Sequence, residues 1–263
     1  MTRPLHLLAA LCLGAVGASA AGTVAAQTPD PGDIVNRVDQ LLRGNSSRGS
    51  VTMQVVTRQW SRALDLDIWS LGTDYALIRV TSPAREAGTA TLKVKNDVWN
   101  YLPRVDRTIR IPPSLMAGAW MGSHFTNNDL VKESRLVDDY DITLDANAAA
   151  APDSTPRASD APAWTFRLTP KPDAAVVWGH IELRVRRSDF MPLWERFYDD
   201  AGQLARTITF SEFHVMGGRM VPARLTVTPA DKPDEHTVLT YRSLEFNVGL
   251  TPAFFSLRNL KRR

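Results

Sequence analysis

Apolar residues recur at every second position through most of this chain, and that period constrains the fold more than any other feature. Val51, Met53 and Val55 alternate with Thr52 and Gln54, and Leu64, Leu66 and Ile68 with Asp65, Asp67 and Trp69. Leu92 and Val94 alternate with Lys93 and Lys95, and Ile181, Leu183 and Val185 with Glu182, Arg184 and Arg186. Such alternation marks antiparallel strands with one buried and one wet face. Strand-like runs also cover 74–81, 98–102, 107–111, 136–144, 164–168, 177–187, 191–199, 204–215, 219–228 and 236–248. The links are short and carry turn residues, as in Gly72-Thr73-Asp74, Ser82-Pro83, Asn96-Asp97 and Met216-Gly217-Gly218. Short links favour an up-and-down meander. A sheet of about eleven or twelve such strands must curl into a partial or closed barrel.

The period fails in one place. Residues Val98 to Leu130 read VWNYLPRVDRTIRIPPSLMAGAWMGSHFTNNDL, a stretch rich in aromatic, apolar and arginine residues and punctuated by Pro103, Pro112, Pro113, Gly118 and Gly122. Two short strands flank a Pro-Arg-Val-Asp turn, and from Pro112 to Gly122 no regular element can run for long. Thr126 or Asn127 then suits the cap of a short helix through Glu133. The reading is a strand pair that continues into a cover over the mouth of an apolar cavity. A loop tucked into a solid core has the same composition and stands beside it.

Upstream, Ile34, Val35, Val38, Leu41 and Leu42 fall on one helical stripe, with Asp30 or Asp33 as cap, Pro31 in the first turn and Gly44 as stop. That pattern predicts an amphipathic helix to about Arg43, packed on the sheet. Before it, Arg3, the apolar run Leu5 to Val16 and the small residues that follow read as an export signal over residues 1–26, cleaved after Ala20 or Ala26. The single cysteine, Cys12, lies inside that signal. The exported chain, residues 27–263, then has no disulfide and no thiol chemistry. It reads as one domain. Residues 145–163, DANAAAAPDSTPRASDAPA, bring too little apolar surface to order themselves and read as an inserted surface loop.

Charge and motifs exclude several function classes. A net charge of +3, with acids and bases interspersed, is no nucleic-acid footprint. The histidines are single and widely spaced, without a metal-binding pattern, and no phosphate-binding glycine motif occurs. Ser123-His124 is the nearest approach to a catalytic pair, yet neighbours on an extended chain point to opposite faces and no Gly-x-Ser-x-Gly elbow occurs. Binding is therefore expected rather than turnover, with no cofactor. The seven tryptophans all lie downstream of residue 26, and six sit in strand-like runs where core packing accounts for them. Trp120 differs. It lies in Leu115-Met116-Ala117-Gly118-Ala119-Trp120-Met121, where flexible methionines and glycines suit an adaptable apolar surface.

The order of residues here resembles the LolA-like family of outer-membrane lipoprotein-sorting proteins. The residues that carry the resemblance are Trp99-Asn100-Tyr101-Leu102-Pro103, then Arg107-Thr108-Ile109-Arg110-Ile111-Pro112, then Gly118 to Met121-Gly122-Ser123-His124-Phe125, then Asp129-Leu130. The resemblance implies a mainly β fold: a curled antiparallel sheet of about eleven strands forming an incomplete barrel, with short α-helices as lid or plug. It implies a periplasmic carrier that holds acyl chains of lipoproteins, or other lipids, in the interior. Such a carrier works with an inner-membrane exporter, of the ABC or RND type, and an outer-membrane acceptor. A sensor or adaptor on the same fold, binding lipidated or misfolded envelope proteins, is the alternative. Trp99, Tyr101, Leu102, Ile109, Leu115, Met116, Trp120, Met121 and Phe125 are the candidate lining and lid. Arg104, Arg107 and Arg110 are either rim groups for a lipid head or partner, or solvated strand charges.

Overall fold

The structure, a computed structural model, describes residues 30–127, 129, 136–145, 162–174 and 176–262. The predicted export signal with both cleavage positions, residues 146–161 of the predicted loop, and most of the predicted helix through Glu133 lie outside the described residues.

Helix α1 spans Pro31–Asp39. Asp30 caps it, its carboxylate accepting from the backbone N–H groups of Gly32 at 2.8 Å and Asp33 at 3.3 Å, which satisfies two donors that the first turn leaves unpaired. The helix stops earlier than the stripe predicts, and residues 40–43 continue as turns into Gly44, whose φ of +57° suits glycine. Ile34, Val35 and Val38 are buried.

Thirteen strands follow: β1 Ser46–Val56, β2 Ser61–Leu71, β3 Tyr75–Ser82, β4 Ala90–Val94, β5 Asp97–Leu102, β6 Arg107–Arg110, β7 Tyr140–Leu144, β8 Ala163–Pro170, β9 His180–Arg186, β10 Pro192–Tyr198, β11 Leu204–Met216, β12 Arg219–Pro229 and β13 His236–Phe246. They form one antiparallel sheet in the order β6-β5-β4-β3-β2-β1-β13-β12-β11-β10-β9-β8-β7. The fold class is the expected one, a curled sheet that does not close. The strand number is higher than the expected count of about eleven or twelve, although each strand overlaps one of the predicted runs. Two boundaries also move. Leu136–Asp139 is a helical turn that packs under α1 and not the start of a strand. Strand β9 begins at His180, three residues later than the predicted run, and Gly179 before it lies against the backbone of Asp199, where a Cβ would meet the Asp199 carbonyl at 2.3 Å.

This order explains the break in period. The chain starts in the middle of the sheet, meanders out to the edge at β6, and must re-enter at the opposite edge, β7, before meandering back to pair β13 with β1. The segment after β6 therefore crosses the concave face. The main core lies on that face: Val51, Met53, Val55, Leu64, Leu66, Phe166, Leu168, Ile181, Leu183 and Val227, with α1, Trp120 and Phe125 packed over them. A second cluster lies on the convex side of β2–β5. It joins Leu77, Ala90, Leu92 and Tyr101 to Phe255 and Leu260 of the C-terminal segment.

Candidate functional site

The crossing segment is fastened to the concave face by polar contacts at several points. Trp120 is 3% exposed, and its indole N–H donates to the Thr91 hydroxyl of β4 at 3.0 Å. Thr91 donates onward to Asn100 Oδ1 of β5 at 2.7 Å. Around Trp120 the chain folds back on itself. Its N–H donates to the Phe125 carbonyl at 2.7 Å, the Asn127 N–H to the Gly118 carbonyl at 2.9 Å, and Ala119 bridges Thr126. The reversal is made by Met121 and Gly122, both left-handed at φ +48° and +67°. Arg62 of β2 donates to the Met121 carbonyl and pairs with Glu86 at 3.1 Å.

A buried ion pair fastens it further. Asp129 accepts two bonds from the Arg206 guanidinium, at 2.5 and 2.7 Å, a bidentate geometry. Asp129 also accepts from the Thr126 N–H at 2.7 Å. The Arg206 guanidinium lies 4.3 Å from the ring centroid of Phe197 and 4.8 Å from that of Trp178, so its faces meet π-systems while its edge meets the carboxylate.

Under this segment the apolar interior is not filled. A compartment of about 250 Å³ is bounded by Val51, Leu66, Ile68 and Ile78 of β1–β3, by Leu239 and Tyr241 of β13, and by Trp120 and Phe125. A second, of about 130 Å³, lies between α1 and β9–β11 and is lined by Val38, Trp178, Ile181, Phe197, Ile208 and Phe210. Leu42, Arg43, Phe125, Asp129 and Leu225 line both, so the two compartments adjoin. Together the compartments reach the lower end of the range for ligand pockets, roughly 300–1,000 Å³.

The walls also carry charged groups. Asp39 pairs with Arg43 one helical turn on, and burial raises its carboxyl above the usual range against the pull of Arg43. Glu195 of β10 faces the smaller compartment. Burial pushes its carboxyl up to about 7, with Arg206 pulling the other way. Lys93 of β4 is 4% exposed in the wall of the larger compartment.

The structure disperses the predicted site residues. Trp120 and Phe125 line the cavity, and Met121 packs against the same core. Trp99 and Tyr101 lie on the convex side, in the cluster closed by Phe255 and Leu260. Leu102, Ile109 and Leu115 are exposed and Met116 is partly exposed, all outside the cavity lining. Arg104, Arg107 and Arg110 are exposed near the β6 edge, and Arg110 pairs with Asp97. Ser123 and His124 do not meet. The Ser123 hydroxyl donates to the Trp120 carbonyl at 2.7 Å, and His124 Nδ1 lies 2.8 Å from the Thr237 hydroxyl with Nε2 3.5 Å from Glu235. Among the described residues no cluster of His, Cys, Asp and Glu has the makings of a metal site.

Sequence reasoning missed Arg206, Glu195 and Lys93. A signal existed for the first two. Arg206 shares a face with Ile208 and Phe210, and Glu195 with Phe197, so each is a charge in the apolar phase of its strand. Lys93 gave none, since it alternates with Leu92 and Val94 and reads as the wet phase, whereas β4 is buried on both faces.

An open, curled antiparallel sheet whose concave apolar cavity is covered by a pinned crossing segment defines a LolA-like half-barrel. Residues 72–262 match the model of a protein family described as "-like: Uncharacterized protein", and the chain belongs to that family. The fold is similar to a DUF1329 family protein from Desulfovibrio piger, with a TM-score of 0.75 and 22% identity over 88% of this chain and 97% of that one. It is similar to an outer membrane lipoprotein-sorting protein domain from Vibrio parahaemolyticus, with a TM-score of 0.73 and 22% identity over 88% and 98%. It is also similar to a LolA superfamily protein from Nitrosomonas europaea, with a TM-score of 0.71 and 22% identity over 87% and 98%. None of the curated proteins matches the chain in sequence. Among the described residues no helix is long and apolar enough to cross a membrane.

Proposed function

We propose that this protein is a periplasmic carrier. It takes the acyl chains of lipoproteins, or of other lipids, into the concave cavity and ferries them between the envelope membranes. An inner-membrane exporter of the ABC or RND type hands the cargo over, and an outer-membrane acceptor receives it. The observation that carries the proposal is the unfilled apolar cavity beneath Trp120 and Phe125. Protein interiors are ordinarily close-packed, so space of this size under a covering segment favours a guest.

Energetics set the terms of such a guest. Each methylene withdrawn from water is worth about 0.8 kcal/mol, so a carrier must nearly equal the membrane to load and must not greatly exceed it to unload. A cover held by polar pins meets that demand, because each pin resists opening by a bounded amount. The printed name of the Vibrio parahaemolyticus domain, a lipoprotein-sorting domain, supports the same class of cargo.

Native mass spectrometry on protein purified from its own envelope tests the proposal. A lipid adduct is expected, lost when Leu66→Arg places a charge in the cavity. A wild-type protein that carries no adduct and displaces no fluorescent alkyl probe would overturn it.

A further inference from the structure

We propose that the tip of the β5–β6 hairpin, with the C-terminal cations beside it, docks this protein on an anionic lipid surface. The inference goes beyond the carrier reading, since it concerns where the protein meets a membrane and not what the cavity holds.

Apolar exposure is concentrated in this region. Of the eleven large hydrophobic residues that are exposed among the described ones, Leu102, Val105, Ile109 and Leu115 fall between positions 102 and 115, and Leu257 opens the helical turn Leu257–Leu260 of the C-terminal segment. Val105 is 67% exposed, and the turn that presents it is braced. Residues Pro103–Val105 form a single 3-10 turn, closed by Asp106 at φ +44°. The Asp106 carboxylate accepts from the Tyr101 hydroxyl at 3.1 Å, and Tyr101 is itself buried with Phe255 and Leu260. Pro103 lies over Gly88, where a Cβ would meet its ring at 3.4 Å. A fixed backbone therefore holds Leu102 and Val105 out to solvent. On the strand behind them, Ile109 shares the row Thr91–Asn100–Ile109 with the Trp120 pin, so docking here brings the rim of the covered cavity to the lipid.

The charges give the surface its sign. Arg104 and Arg107 are exposed and form no ion pair among the described residues. Lys261 lies 3.8 Å from Asp106, the acid of the tip, which brings the C-terminal segment alongside. There Lys261 shares a surface hollow with Arg258 and Arg262. Arg110 does not count towards the patch, because Asp97 pairs with it. Charge on an edge strand discourages pairing with other chains, and that alone accounts for Arg107. It does not account for Leu102 and Val105 beside it. Aliphatic groups set among cations meet both demands of an anionic bilayer: the aliphatic groups enter the headgroup boundary and the cations lie at the level of the phosphates. Each signal is weak alone, and the two act together. A protein partner would favour a pocket with aromatic anchors, whereas residues 102–107 form a turn without an aromatic ring.

Vesicle flotation of the protein purified from its own envelope tests this, with vesicles of phosphatidylethanolamine and phosphatidylglycerol set against vesicles of phosphatidylcholine alone. Binding to the anionic vesicles is expected to be at least about tenfold tighter and to fall as salt is raised. Arg104→Gln with Arg107→Gln, and separately Val105→Asp, should each weaken it by at least about fivefold. Thermal unfolding and displacement of a fluorescent alkyl probe should be unchanged in both variants, since these side chains are solvated and lie outside the cavity lining. Equal affinity for the two kinds of vesicle, or anionic binding that survives in both variants, overturns the inference while the carrier reading stands. Binding to neither vesicle also overturns it, and leaves the tip to an acidic protein partner. Failure of the wild type to bind the alkyl probe overturns the carrier reading and not this one. The wild-type comparison decides the matter even where a variant does not fold.

Discussion

Both faces of the sheet carry an apolar cluster, and each is covered by a segment of the chain that is not strand. On the convex side the cover is residues 250–260. It presents aromatic rings directly to aromatic rings, Phe254 at 5.9 Å from Trp69 and Phe255 at 5.5 Å from Tyr75, and Leu260 is fully buried. On the concave side the cover is the crossing segment. Trp120 and Phe125 meet the core there, but the chain is also held by polar contacts: Trp120 to Thr91, Asp129 to Arg206, Arg62 to Met121. Side-chain interlock closes a surface flush. Polar pins fix a cover at points and leave room between them, and the cavity lies in that room.

The comparison breaks first at the buried ion pair. Arg206→Met should destabilise the protein by about 3–5 kcal/mol, because it strands a buried carboxylate. Asp129→Leu with Arg206→Met together should recover much of that loss. Urea unfolding measures both, and a double variant no more stable than the single one would show that the pair is more than a pin. On the other face, Leu260→Ala should cost about 2–5 kcal/mol by opening a cavity in a packed cluster, with alkyl-probe affinity unchanged. A loss of affinity in that variant would mean that the two faces are coupled.

Acid sharpens the contrast, since Glu195 titrates in the cavity wall. Its carboxyl, at about 7 in the folded protein, holds a proton more tightly folded than unfolded. Its contribution to stability is therefore complete below about pH 4.5, the ordinary glutamate range, and is lost as pH rises through about 7. The loss amounts to at most about 3 kcal/mol. Glu195→Gln should flatten this part of the stability profile, and an unchanged slope in urea midpoints between pH 5 and pH 8 would remove Glu195 as its source. The smallest effect is expected from Trp120→Phe, which keeps the ring and deletes one bond, for about 1 kcal/mol. Its signature is kinetic: faster release of bound probe in stopped flow, with unfolding little altered.

Much of this architecture is written in the period of the apolar residues. Alternation located the strands, and its failure after Ile111 located the crossing. The faces of β4 and β5 could not be read, because Val98 and Tyr101 lie on opposite sides of one strand and both are buried. A strand with a core on each side has no wet phase to orient it. Trp99 and Tyr101 thus sit in the family-like motif beside Trp120 in sequence and on the other side of the sheet in space. The reverse holds for Arg206, distant from Asp129 in sequence and bound to it in the fold, a pairing that only the curl of the sheet brings about.

The connectivity of the sheet has one more consequence. Strands β1–β6 and β7–β13 are two separate meanders, zipped together along β1 and β13 and tied covalently by the crossing segment alone. Cutting that tie once would yield two fragments, each with a complete run of neighbouring strands, whose reassembly depends on a single backbone ladder and a shared interior. The protein is in this sense a natural split pair, and a guest bound between its halves would act as the glue that brings them back together.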